Sequence, residues 1–159
     1  MIRKSVTILL FLMALPLILG FIAGQVTAAN IPTWYASINK PWFNPPSFVF
    51  APVWTTLYLL MGYASYRIWQ RRDGNRIHIP LALYFSQLAL NFLWTFLFFG
   101  YHKPDLALAE MLLMWLLILL TIIQFARIDK PAAWMLVPYI SWVSFASVLT
   151  YYVMVLNPA

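Results

Sequence analysis

Charge is what this sequence has least of. Ten Lys and Arg and four Asp and Glu make up 9% of 159 residues, whereas the surface of a small soluble domain calls for roughly 25–35%. A water-soluble globule is excluded. There is no cysteine, which removes a disulfide framework, a thiolate metal site and a thiol nucleophile. The two histidines, His78 and His102, fall in different connections, so no shared metal site is expected. HExxH, GxSxG, GxGxxG and Walker patterns are absent, and with them the conventional protease, esterase, dehydrogenase and kinase readings. No basic domain suited to nucleic acid is present. What remains is apolar: 64% of the residues are hydrophobic and the mean hydropathy is +0.80.

A membrane-crossing helix needs about 20 predominantly apolar residues. Five such runs lie between the charges, at 5–28, 47–69, 80–99, 105–126 and 132–156. They leave no room for a soluble domain, so residues 1–159 read as one all-α membrane domain, a five-helix bundle. A signal peptide competes for the first run, because Arg3 and Lys4 precede it and Val26-Thr27-Ala28 resembles a cleavage site. The run outlasts a signal peptide's apolar core, however, and Gly20 and Gly24 form a GxxxG pattern suited to helix packing. Arg3, Lys4, Arg67, Arg71, Arg72, Arg76, Arg127 and Lys130 fall at one end, against Lys40 and Lys103 at the other. The positive-inside rule then predicts a cytoplasmic N-terminus and an external C-terminus, in a bacterial cytoplasmic (inner) membrane.

Three connections are short, as antiparallel neighbours require. The first, 29–46, is not. It holds Trp34, Tyr35, Trp42 and Phe43 among Pro32, Pro41, Pro45 and Pro46, and prolines restrict both themselves and the residues before them. The expectation is a stiff aromatic lid.

Helical spacing then sorts the side chains. The third run gathers Tyr84, Gln87, Asn91, Trp94 and Phe98 on one stripe, and amides facing lipid would be costly. The second run aligns Phe50, Trp54, Leu57, Tyr58 and Met61; the fifth aligns Pro138, Trp142, Phe145, Ala146 and Leu149. With eight Trp, nine Tyr and twelve Phe in the chain, these stripes exceed what interfacial belts need and predict a flat-walled apolar cavity under the lid. Asn91 could bond a ligand or glue helices, and Gln87 reads as glue. Glu110 is the one acid inside a run, a functional candidate by position or a residue snorkelling from the helix start. Asp105 reads as the N-cap of that helix.

Trp34-Tyr35, the run Lys40-Pro41-Trp42-Phe43-Asn44-Pro45-Pro46, and then Phe50, Trp54, Tyr58, Met61 and Gly62 resemble the tryptophan-rich sensory protein family, which includes the mitochondrial translocator protein. Leu90-Asn91-Phe92-Leu93-Trp94 with Phe98-Phe99-Gly100 resembles its third helix, and Val137-Pro138-Tyr139 with Trp142, Phe145, Ala146 and Leu149 its fifth. The resemblance implies a five-helix bundle, often a homodimer, that binds protoporphyrin IX or haem and, in some members, sterols or benzodiazepine-type ligands. It implies a pocket of Tyr35, Pro45, Trp54, Asn91, Trp94, Trp142, Ala146 and Leu149; the helical stripes add Phe50 and Tyr58. No cofactor and no metal ligand is implied. Transport, sensing and light-driven porphyrin degradation have been proposed for members, the last through tryptophans that match Trp54 and Trp142.

Two positions depart from the family pattern. Phe43 stands where many members have Trp, and Leu149-Thr150-Tyr151 begins a cholesterol-type motif that no later Lys or Arg completes, so sterol binding is left without support. Binding of a tetrapyrrole is the leading expectation. The alternatives are an exporter exchanging protons through Glu110 and a porphyrin-degrading enzyme using Trp54 and Trp142.

Overall fold

A computed structural model describes the backbone of residues 2–74 and 76–158 and the side chains of 5–74 and 76–158. The side chains of Arg3 and Lys4, counted above toward the charge asymmetry, lie outside that range. Among the described residues there is no strand. Five helical passes are long and apolar enough to cross a membrane. The first is α1, Ile2–Asn30, prolonged by a π turn over Ile31–Tyr35. The second is α2, Phe50–Gln70, entered through a 3-10 turn at Ser47–Val49. The third is α3, His78–Thr95, ending in a π turn at Phe96–Gly100. The fourth is α4, Pro104–Ile128. The fifth is divided into α5, Lys130–Met135, and α6, Val137–Leu156.

The first pass runs further than the apolar pattern indicates, because Trp34 and Tyr35 belong to its helical end rather than to the loop. Pro32 cannot donate a backbone hydrogen bond; the wider π turn accommodates it near the turn's start. The lid is therefore 38–46, shorter than the 29–46 connection. The break at Leu136 also departs from the single helix expected: Pro138 sits at the start of α6 and cannot continue the ladder from α5. At α4, Pro104 occupies the first helical turn after Lys103, so Asp105 falls one position inside the helix and is not its cap. Its charge still complements the helix dipole there.

The passes close a ring in the order first, second, fifth, fourth and third. The ring's centre is packed by Met61, Ile68, Tyr84, Met114, Phe125 and Tyr139 from α2, α3, α4 and α6. Closest approach comes where side chains are smallest. At Gly62 a Cβ would lie 2.7 Å from the Leu12 carbonyl oxygen and 2.9 Å from the Met13 Cα, so α1 and α2 touch backbone to backbone there.

The arginine-bearing end is fastened by one buried acid. Asp129 links the fourth pass to α5, accepting from the Ala132 N–H at 3.2 Å as a helix cap. It also accepts from Arg67 Nε at 2.6 Å, Arg67 Nη2 at 3.1 Å and Arg71 Nη2 at 3.2 Å. The Arg67 hydrogen bonds hold the Asp129 carboxyl below the usual carboxylate range against the opposing effect of burial, and the Ala132 N–H and both guanidinium charges assist. A lowered carboxylate pKa stabilises the fold at neutral pH, and that contribution is lost as pH falls through the lowered value. Asp129→Asn is expected to cost about 2–3 kcal/mol at pH 7. Melting curves in detergent should show parent and variant converging below about pH 4; a difference independent of pH would contradict the assignment.

Candidate functional site

At the lid end, the first, second, third and fifth passes do not fill the space between them. They enclose a cavity of about 500 Å³, within the range of small-molecule sites. The second pass contributes Trp54, whose ring stacks on Tyr58 at 5.5 Å and 25° and meets Tyr139 edge-on at 6.2 Å. Tyr58 and Tyr139 are buried, so this indole has a rigid backing. The fifth pass contributes Trp142, held between Phe50, edge-on at 6.2 Å, and Phe145 at 5.6 Å. From the third pass, Trp94 lies parallel to Phe98 at 5.0 Å and 13°. Flat indole faces of this kind suit a planar apolar ligand.

A buried relay of polar side chains reaches the cavity at Tyr58 and Asn91. The Tyr58 hydroxyl donates to Asn91 Oδ1 at 2.9 Å; Asn91 Nδ2 donates to the Tyr139 hydroxyl at 3.1 Å; that hydroxyl donates to Gln87 Oε1 at 2.7 Å. Asn91 thus joins the second, third and fifth passes. A primary amide offers two donors and two acceptor positions, so one of each remains on Asn91 beyond these bonds. Helix bonding and ligand contact, opposed in the sequence reading, are compatible in this geometry. Gln87 does not border the cavity; it accepts from Tyr139, as glue.

The lid is anchored at three points. The Tyr35 hydroxyl donates to Asn44 Oδ1 at 2.6 Å. Lys40 Nζ donates to the Tyr35 and Ile38 carbonyls at 2.6 and 2.8 Å, capping the Tyr35 carbonyl at the end of the first pass. Asn157, just beyond α6, accepts from the Asn39 N–H and donates to the Asn39 carbonyl, both at 2.9 Å. Phe43 packs edge-on against Phe145 and Tyr152, so an aromatic ring without a donor suffices at that position. Trp42, by contrast, is 96% exposed.

Nine of the ten side chains singled out in the sequence border the cavity: Tyr35, Phe50, Trp54, Tyr58, Asn91, Trp94, Trp142, Ala146 and Leu149. Pro45 does not; it lies in the lid, where its carbonyl accepts from Asn44 Nδ2 at 3.2 Å. Glu110 is also elsewhere. It sits on α4, which contributes no lining residue among those described, and its two carboxyl oxygens are buried without a hydrogen-bond partner. An exchange of protons for a ligand in this cavity would find no carboxyl in contact with it. His78 and His102 form no metal cluster with other ligands among the described residues; His102 instead stacks on Trp34 at 4.4 Å.

Helical spacing marks no lining on the first pass before Tyr35, yet Gly20, Ala23, Gly24, Thr27 and Ala28 all border the cavity. Their small size at helical spacing was the available signal, read as helix packing instead. No Asp, Glu, Lys or Arg borders the cavity among the described residues.

The TspO/MBR family model matches residues 12–156, which take in the lid and all five passes, the first from residue 12 onward. The chain belongs to the TspO/MBR family. It is 38% identical over 160 residues to the tryptophan-rich protein TspO of Chlorobaculum tepidum, covering 98% of this chain and 99% of that one. The translocator protein of Bos taurus is 42% identical over 139 residues, covering 86% and 82%. The tryptophan-rich sensory protein of Cereibacter sphaeroides is 42% identical over 124 residues, covering 78% and 77%. Family membership and the five candidate spans make this TspO/MBR chain a multi-pass membrane protein.

Proposed function

We propose that this TspO/MBR protein binds a planar tetrapyrrole, protoporphyrin IX or haem, in the cavity under the lid, as part of a sensory or transport role. The observation that carries the reading is an uncharged cavity of about 500 Å³ bordered by Trp54, Trp94 and Trp142. Its tryptophans offer stacking faces, and Asn91 offers a polar anchor. The protein needs no cofactor for this; the tetrapyrrole is its ligand. Charge asymmetry supports a cytoplasmic N-terminus and an external lid, and we place the protein in a bacterial cytoplasmic membrane. Ala82, Ser86 and Ala89 are exposed on one face of α3, and small residues at helical spacing favour close helix pairing, which supports a homodimer through that face.

The test is a titration of the detergent-purified protein with protoporphyrin IX in the dark, read by tryptophan quenching. One saturable class at micromolar affinity or tighter is expected, unchanged by Trp42→Ala, since Trp42 lies off the cavity. Absence of saturation in a folded protein would overturn the reading. Illumination of the same samples then separates plain binding from degradation: product formation dependent on Trp54 and Trp142 would favour the enzymatic reading.

A further inference from the structure

The lid and the bundle wall are not equally closed. On the lid side, the three anchors above tie residues 35–44 to the first pass and to the end of α6, and Asn39 also donates through Nδ2 to the Leu156 carbonyl at 3.3 Å. On the flank between α1 and α2 the arrangement is reversed. These helices touch at Gly62 against Leu12 and Met13, and at Gly20, where a Cβ would lie 2.6 Å from Tyr58 Cδ2. One turn nearer the lid the contact is gone: a Cβ at Gly24, which borders the cavity, would meet nothing within 4 Å. The two helices form a V, joined toward the arginine end and open toward the lid.

Residues along the open arm belong to two surfaces at once. Phe21, Gln25, Ala28, Ala51 and Thr55 border the cavity and are also among the exposed residues; Phe21 is 71% exposed. All five lie within the candidate membrane spans, where the outside is lipid. We infer that the V between α1 and α2 is a lateral portal through which a bilayer-dissolved, planar amphiphile enters the cavity while the lid stays latched. The inference rests on the binding reading above and adds the route and the ligand's character. An apolar ring enters among the indoles. Because no charged side chain among the described residues borders the cavity, acidic substituents remain at the mouth, beside the Gln25 amide and the Thr55 hydroxyl.

The cysteine-free chain allows each opening to be closed separately. Asn39→Cys with Asn157→Cys, joined by a disulfide or a short bis-maleimide, locks the lid; Ala28→Cys with Ala51→Cys, joined by a bis-maleimide of fitting length, bridges the portal. Exchange of protoporphyrin IX between proteoliposomes and empty vesicles is the readout. The locked lid should leave exchange within about twofold of the unlinked protein, and the bridged portal should slow it at least tenfold. The opposite pattern overturns the portal. A ligand-free measurement separates this outcome from failure of the binding reading: phospholipids with brominated acyl chains should quench cavity tryptophans in the unlinked protein, and bridging the portal should relieve that quenching. Relief without any porphyrin binding would keep the portal and overturn the ligand; quenching unaffected by the bridge would overturn the portal.

Discussion

Gly62→Ala is expected to cost the bundle about 3 kcal/mol, the upper part of the range for overpacking a close-packed interior. The reason is the kind of atom the new methyl meets. Its neighbours are the Leu12 carbonyl oxygen and the Met13 Cα, at 2.7 and 2.9 Å, which are backbone and can yield only by moving α1 as a whole. Gly24→Ala is the matched control: the same methyl on a glycine of the first pass meets nothing within 4 Å, and its cost should stay within about 0.5 kcal/mol. Reversible unfolding in mixed detergent, followed by circular dichroism, would measure both. Equal costs would mean that α1 and α2 are not held together at Gly62, and the V-shaped opening would lose its hinge.

Trp142→Ala is expected to weaken protoporphyrin IX binding by roughly 30-fold, equivalent to about 2 kcal/mol. This indole borders the cavity and is held by Phe50 and Phe145, so its face is fixed before a ligand arrives. Its removal also leaves the buried relay of Tyr58, Asn91, Tyr139 and Gln87 intact, and the variant should fold as the parent does. Asn91→Ala is the less clean experiment, because it strips Tyr58 of its buried acceptor as well as removing a ligand contact. Dark titrations of parent and variant, with circular dichroism on the same samples, would check the expectation. Unchanged affinity in a folded Trp142→Ala protein would remove this indole from the site.

Much of this architecture is legible because a bilayer simplifies the code. Length and apolarity mark the five passes, and helical spacing places Trp54, Tyr58, Asn91, Trp94, Trp142, Ala146 and Leu149 on three stripes that the fold brings to one cavity. The features that escape share a cause: they depend on where two elements part rather than on what one element carries. Gly20 and Gly24 make the same local pattern, yet one faces the Tyr58 ring and the other faces open space. Asn39 and Asn157 are 118 residues apart and bear no spacing that marks them as partners. The π turn after Asn30 and the break before α6 arise where proline interrupts the hydrogen-bond ladder, and sequence shows the proline without showing whether the helix ends, widens or restarts. Pro45 matches a family motif, but its place in the lid directs it away from the cavity.

The most direct test of the central claim is a structure of the protein loaded with protoporphyrin IX in the dark. The macrocycle is expected inside the cavity, with Trp54 and Trp142 against it, a polar contact from Asn91, and its carboxylates toward Gln25 and Thr55. A macrocycle seated outside the lid, on the exposed Trp42 and the groove it forms with Phe43 and Tyr152, would contradict it.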